Sequence, residues 1–449
     1  MNRRLSLPLL IATIFFAVSG GPYGLEPVMS SGIGLGLALI VVTPIFWAVP
    51  AAMMTAELTA AIPKEGGYYQ WVKQAMGPFA GFLCATWSWM YSWVDAAIYP
   101  VLFAEYVESL FKLSGVEPPG GMNVWMKWGI GLAAILPFTY LNLKGAVPVG
   151  KSARLMAMGV LLPFAILIAI GLPKWLHNPA LFVTPLVPSG TSVGQGFSAG
   201  LFVVMWNYLG WDNVSTIAEE VENPKSVFPR ALAWSMPVIT LAYLLPAMIG
   251  AVYLRDPSAW EEGVWTEIGR RAAGPWLGYL FVFGGILSSL GMFSAMLLTA
   301  SRLPFVMARD RYLPAAFARM HPKFNTPYVA ILASAAVYSI LSFSSFQDLA
   351  IVDVVLYSAA LALEFAALIV FRIREPDRPR PYRIPGGYLG LAIVSILPMA
   401  VVVFGIVNQV QESTGEGKGA QVVQWSLAAL LIAPIGYGIR HLISRRDLA

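Results

Sequence analysis

Ser19-Gly20-Gly21-Pro22-Tyr23-Gly24-Leu25-Glu26 interrupts the first long apolar stretch of the chain, near where the middle of a membrane span would fall. Glycine costs backbone entropy, and proline removes a donor and clashes with the preceding turn, so this crowding of both cannot carry a regular helix. In hydrocarbon, freed backbone groups are tolerated only where they are buried in protein or line a polar cavity. A carboxylate just past the interruption, at Glu26, favours the cavity. The stretch therefore predicts a substrate site on a broken membrane helix, with Ser19, Gly20, Gly21, Gly24 and Glu26 contributing.

The surrounding chain fits that reading. Of 449 residues, 57% are hydrophobic and 12% charged, with a mean hydropathy of +0.68, whereas soluble domains carry nearer about 25% charge. Twelve stretches are long and apolar enough to span a bilayer. They run approximately over 6–32, 34–61, 79–111, 124–141, 147–171, 193–221, 231–253, 275–301, 327–343, 349–371, 387–409 and 421–440, and no soluble domain fits between them. Lys and Arg fall mostly on one set of alternate connections. Only Lys112, Lys127, Lys174, Arg255, Arg270, Arg271 and Lys418 lie on the other set. By the positive-inside rule both termini are expected to be cytoplasmic, and the basic balance reflects topology. Between the second and third spans, 68–77 is too short to cross and reads as an interfacial amphipathic helix.

A second interruption is expected in the sixth span, at Trp206-Asn207-Tyr208-Leu209-Gly210-Trp211-Asp212-Asn213. The two breaks lie five spans apart, so an odd number of crossings inverts the second block relative to the first. Paired interrupted helices in inverted repeats point to a secondary transporter with its binding site at the midplane.

The segment WNYLGWDNVSTIAEEVENPKSVFPRAL, together with SGGPYGLE, TAELTAAIPKEGGYYQWV, DAAIYPVLFAEYVESL, GMFSAML, LALEFAA and RPYRIP, resembles the amino acid–polyamine–organocation superfamily. It is most similar to the plant-type polyamine uptake branch, related to the L-type amino acid transporters. The resemblance runs in order along nearly the whole chain. It implies an all-α, leucine-transporter-type fold: one transmembrane domain over 1–449, with repeats at 1–171 and 193–371 and two extra helices and a tail in 387–449. Two departures stand out. Many amino acid carriers read Gly-Ser-Gly-Ile at the first break, where this chain has Ser-Gly-Gly-Pro-Tyr-Gly. Some proton-coupled members place a lysine deep in the fifth span, whereas the last basic residues there are Lys151 and Arg154.

Carboxylates buried in a membrane are costly and tend to be functional. Glu26, Asp95 in the third span and Asp212 in the second break are candidates for holding substrate amines. Each has a plainer alternative: a helix cap for Glu26, a partner for freed backbone at Asp212, an interhelical pair for Asp95. Tyr99, Trp206, Tyr208 and Trp211 offer aromatic faces to an ammonium, although any one of them is more often ordinary packing. A substrate carboxylate would be repelled by such a cluster and a polycation attracted. The expected substrate is thus a polyamine of the putrescine or spermidine class, with a cationic or neutral amino acid as the alternative.

Glu57, Glu219 and Glu220 read as a cytoplasmic gate, with Lys64, Lys225 and Arg230 as nearby partners. Asp353 and Glu364 sit in the tenth span without an assigned role. No cofactor is expected. The coupling ion is a proton or sodium, and Ser288, Ser289 and Ser294 are available for sodium. Gly196-Phe197-Ser198-Ala199-Gly200 matches a nucleophile-elbow pattern but lies in a membrane helix without a histidine partner. A membrane-embedded enzyme or a receptor is the distant alternative. No nucleic-acid partner is expected. The lone Cys84 leaves no thiol in the outer loops for a disulfide-linked accessory subunit.

Overall fold

The computed structural model describes residues 4–116, 121–182, 187, 193–343, 350–415 and 419–446. Among them there is no strand, and the helices run in the order the apolar stretches set. The first half of the chain gives α1 (Leu7–Val18), α2 (Ile33–Phe46), α3 (Ala48–Ala61), α4 (Tyr68–Met76), α5 (Pro78–Ser114), α6 (Val124–Leu143) and α7 (Ala146–His177). The second half gives α8 (Val193–Asn207), α9 (Pro224–Tyr253), α10 (Trp265–Ala273), α11 (Pro275–Ala300), α12 (Arg302–Arg309), α13 (Tyr328–Leu341), α14 (Ala350–Arg374), α15 (Gly387–Gly415) and α16 (Gly419–Arg446).

Proline sets several boundaries. It opens α5, α9 and α11, where its missing N–H is one the helix would leave unbonded anyway. It also splits the expected second span. Pro50 has no N–H to offer the carbonyl one turn earlier, and the chain hitches at Trp47 between α2 and α3. Both predicted breaks are present. After α1 the chain leaves helical geometry and resumes as a 3-10 turn over Glu26–Ser31; after α8 it does the same before a 3-10 turn over Asn213–Glu220.

Among the described residues, seven helical stretches are long and apolar enough to cross a bilayer, including Ala146–His177, Pro224–Tyr253 and Pro275–Arg309. Their outward side chains are apolar: Leu155, Ile340 and Leu389 are about 70% exposed, as a lipid-facing surface requires. The interior holds the costly groups, with Glu26, Glu57, Asp95, Asp212, Arg302, Glu364 and Arg372 all buried. The protein is therefore an all-helical, multi-pass membrane protein. α5, roughly 55 Å long at 1.5 Å per residue, packs against α11, α14, α4 and α6, while α1 is held between α7 and α9. The expected interfacial helix exists as α4. Its aromatic side, Tyr68, Tyr69 and Trp71, is buried on α5 and α14, so it docks on protein and not on lipid.

The face carrying Arg4, Lys144 and Arg302 is called the basic face below. There, Leu5 pairs with Val221 in a lone parallel bridge. The Leu5 N–H donates to the Glu220 carbonyl at 2.8 Å, and the Glu222 N–H donates to the Leu5 carbonyl at 2.9 Å. The segment leading into α1 is thus tied to the segment following the second break.

Candidate functional site: a small cavity between two helix breaks

Geometry at the first break follows from its glycines. Gly20 has φ +63, and a Cβ there would come within 2.2 Å of the Met292 sulfur on α11. α11 also supplies Ser288, whose hydroxyl donates to the Gly20 carbonyl at 2.6 Å. Ser19 Oγ accepts from the Gly21 N–H at 3.0 Å. Glu26 turns away from the cavity. One of its oxygens accepts from the Gly24 N–H at 2.5 Å and the other from the Gly263 N–H at 3.3 Å. On that side the break is capped by protein: Trp265 Nε1 donates to the Pro22 carbonyl at 3.0 Å and the Tyr23 hydroxyl to the Phe281 carbonyl at 2.9 Å.

At the second break, Gly210 has φ +87 and its missing Cβ would lie 2.4 Å from the Ala17 carbonyl oxygen. The two breaks thus touch backbone to backbone. Asn207 fastens them further, its side-chain N–H donating to the Gly24 carbonyl at 3.1 Å, while the Tyr243 hydroxyl donates to the Asn207 carbonyl at 2.7 Å. Beyond Gly210, Asp212 Oδ1 accepts from the Tyr357 hydroxyl at 2.8 Å, and that hydroxyl accepts from the Gly210 N–H at 3.3 Å. Tyr208 is buried, its hydroxyl donating to the Ile40 carbonyl at 3.2 Å.

Between the breaks lies a cavity with about 20 Å³ of free volume, room for roughly one water. Ser19, Asp95, Tyr99 and Trp206 line it, together with Tyr91, Asn207, Gly210, Asn213 and Met292. Of the sequence candidates, then, four converge here. Gly20, Gly21, Gly24, Glu26, Tyr208, Trp211 and Asp212 are placed around the breaks but outside the lining. Asp95 is the one carboxylate in it. Its Oδ2 accepts from the Tyr99 hydroxyl one turn along α5 at 2.8 Å, and among the described residues no Lys or Arg pairs with it.

Tyr91, Asn207, Asn213 and Met292 were not singled out from the sequence. Tyr91 had a legible signal: it is one turn before Asp95, so the two share a face, and its hydroxyl donates to Asn213 Oδ1 at 2.6 Å. The three serines considered for sodium separate. Ser288 turns to Gly20, Ser289 bonds the Gly285 carbonyl of its own helix, and Ser294 accepts from Asn142. Asp353 lies in a turn of α14 whose side chains fall outside the described residues.

The three gate candidates all lie toward the basic face, with partners other than those expected. Glu57 accepts from Arg372 Nε and Nη2, each at 2.6 Å, and from the Ile384 N–H at 2.8 Å, and pairs with Arg380 at 3.2 Å. Glu220 pairs with the fully buried Arg302 at 2.7 Å, and Glu219 accepts from the Glu65 N–H at 3.1 Å. Lys64, Lys225 and Arg230 are near in sequence, but the fold brings distant arginines to Glu57 and Glu220 and a backbone N–H to Glu219. The Glu57–Arg372 pair is closed off from water, so Arg372→Ala would strand a buried carboxylate. A loss of about 3–5 kcal/mol is expected, read as a lower melting temperature in detergent; an unchanged melting point would show that Arg380 alone satisfies Glu57.

Glu65 and Glu220 line an open vestibule of about 950 Å³ on the basic face, rimmed by Arg4, Lys144 and Lys151. Glu65 lies in the connection between α3 and α4. Burial pushes its carboxyl up from 4.5 to about 7, against the pull of Arg302 and with the help of Glu220 and Glu219. A carboxyl raised by folding binds its proton more tightly in the folded state. Its contribution is therefore complete below about 4.5 and declines as pH rises toward about 7. Thermal unfolding across that window should show the decline in the native protein and a flatter profile in Glu65→Gln; identical profiles would remove Glu65 as the cause.

An all-helical membrane protein with a polar cavity between two broken helices has the form of a membrane transporter. The family model described as amino acid permease matches residues 5–428. The chain belongs to the amino acid permease family, and it is a membrane transporter. It is 34% identical over 403 residues to the polyamine transporter RMV1 of Arabidopsis thaliana, covering 89% of this chain and 79% of the relative. Similarity to the polyamine transporter PUT1 of Oryza sativa subsp. japonica is 37%, over 89% of this chain and 73% of the relative. The serine/threonine exchanger SteT of Bacillus subtilis is more distant, 27% identical over 74% of each chain.

Proposed function

We propose that the protein is a secondary active transporter that moves polyamines of the putrescine and spermidine class across the cell membrane by alternating access. The observation that carries this reading is Asp95, a cavity carboxylate without a cationic partner among the described residues, set beside Tyr91, Tyr99 and Trp206. One ammonium of the substrate pairs with Asp95 and packs on these rings. The names of the two plant relatives support the same substrate class. Glu26 supports it as well, because a carboxylate of the chain itself already occupies the Gly24 amide, a kind of group that often captures a substrate carboxylate.

In this reading the chain crosses the membrane twelve times. Its first ten spans form two inverted five-helix repeats, α1 and α8 are the broken helices, and the last two spans are additional. Both termini and the basic face are cytoplasmic. Substrate entry requires the small cavity to expand, with the two breaks rocking against a scaffold that includes α5 and α11. Glu57, Glu219 and Glu220 belong to the cytoplasmic gate. Glu26 and Asp212 act at the rims of the site, through backbone and Tyr357, and not as direct ligands. The coupling ion favoured is a proton, since the serine hydroxyls of α11 turn to separate partners.

An amino acid substrate is the second reading. The neutral polar groups Ser19, Asn207 and Asn213 in the lining and the exchanger SteT support it. Competition in proteoliposomes between labelled spermidine and a panel of diamines, polyamines and amino acids separates the two, repeated under proton and sodium gradients. Displacement by polyamines alone supports the first reading. Displacement by neutral amino acids with no effect of putrescine overturns it.

A further inference from the structure

Glu364 is the one fully buried carboxylate with neither oxygen hydrogen-bonded among the described residues. It sits on α14, two helical turns after Tyr357 and hence on the same face. Tyr357 in turn holds Asp212 at the second break. Glu364 and Asp212 are close enough for each to act on the other's charge, and among the described residues no Lys or Arg pairs with either. Two uncompensated anions at such a place would be far costlier than one.

The groups facing Glu364 bear this out. From α4 there is Tyr68, from α5 Cys84, from the break Asp212, and from its own helix Tyr357; none is a cation. On α4, Lys73 is engaged with Asp310. On α3, Glu57 is engaged with Arg372 and Arg380. α15 has no charged residue before Glu412, and α16 has none before Arg440.

We propose that Glu364, with Asp212 and Tyr357, forms a buried proton-binding site that couples proton movement to the rearrangement of the second break. This rests on the transporter reading above and adds to it a named site for the coupling ion. The linkage is mechanical and electrostatic. Tyr357 is bonded at once to the Gly210 amide and the Asp212 carboxylate, so any displacement of the break removes Asp212 from Glu364 and opens the site to water. Glu364 then exchanges its proton with the solution to which the break is open. Because Glu364 lies outside the cavity lining, proton and substrate are bound together and do not exchange for one carboxylate. The device is thus a symport: one proton taken up from the side of substrate entry is released on the side of substrate exit.

The test uses the full chain in proteoliposomes with the membrane potential clamped at zero, an inside-alkaline gradient, labelled spermidine and a lumenal pH dye. The native protein should accumulate spermidine about tenfold for each unit of gradient, with acidification of the lumen. Glu364→Gln should keep spermidine exchange between equal solutions and lose accumulation and acidification together. Glu364→Asp, which keeps an acid there, should retain both. Native vesicles that move no polyamine at all would sink the substrate reading. Native vesicles that move spermidine without protons would sink only this inference, as would a Glu364→Gln protein that still accumulates. A Glu364→Gln chain that fails to fold also counts against it, because glutamine matches a protonated glutamic acid in shape and charge and is tolerated where the carboxyl is neutral. A Glu364→Asp protein that transports without moving protons overturns it as well.

Discussion

Asp95→Asn is expected to abolish most spermidine uptake while leaving the fold intact. Asparagine retains an oxygen for the Tyr99 hydroxyl, which now reaches Asp95 Oδ2 at 2.8 Å, and it changes the volume of the cavity hardly at all. What it removes is the charge. Breaking one side of a desolvated ammonium–carboxylate pair costs about 2–4 kcal/mol, which corresponds to a fall of tens to about a thousandfold in apparent affinity. Uptake measured against concentration, beside a thermal melt, separates the two effects. Unchanged affinity with native stability would remove Asp95 from the site. A neutral amino acid, if transported, should be affected far less than spermidine, so the same variant also ranks the two substrate readings.

Gly210→Ala is expected to be strongly disruptive. The backbone there has φ +87, and the new Cβ would sit 2.4 Å from the Ala17 carbonyl oxygen. That neighbour is backbone, which cannot swing aside as a long side chain does. Left-handed geometry alone costs an alanine about 1–2 kcal/mol, and overpacking a tight contact adds about 1–3 kcal/mol. Relief requires the two breaks to part, which is also how a transport cycle would begin. The expected outcome is therefore loss of transport with a lowered melting temperature, plus easier labelling of a cysteine placed at Ser19. Native uptake by Gly210→Ala would mean that the two breaks are not held together at this point.

Much of the fold was legible because membrane physics is restrictive. Apolar length marked the spans, glycine and proline marked the interruption at 19–25, and glycine beside polar residues marked the one at 208–212. Breaks are local events, written in a few adjacent residues. The hitch at Trp47 was missed although its cause, Pro50, is local too; long apolar runs conceal kinks that do not end the span. The site was legible only in part. Candidates were chosen for charge and for nearness to a break, but which way a residue turns depends on packing from elsewhere in the chain. Glu26 turns to Gly263, and Asp212 turns to Tyr357, partners 237 and 145 residues distant. Asp95 and Tyr99 share the cavity lining with Tyr91 because a continuous helix fixes their relative directions. The candidate gate acids were chosen by position, and their partners were misjudged by assuming that near in sequence means near in space.

The pairing of Leu5 with the segment after the second break turns the chain's own leading end into a latch. Opening the basic face should release the amides of Leu5 and Glu222, which are now bonded at 2.8 and 2.9 Å. Those two hydrogens would then exchange with deuterated water at a rate set by how often the latch lifts. They form a native clock for the cycle that requires no dye, spin label or substitution.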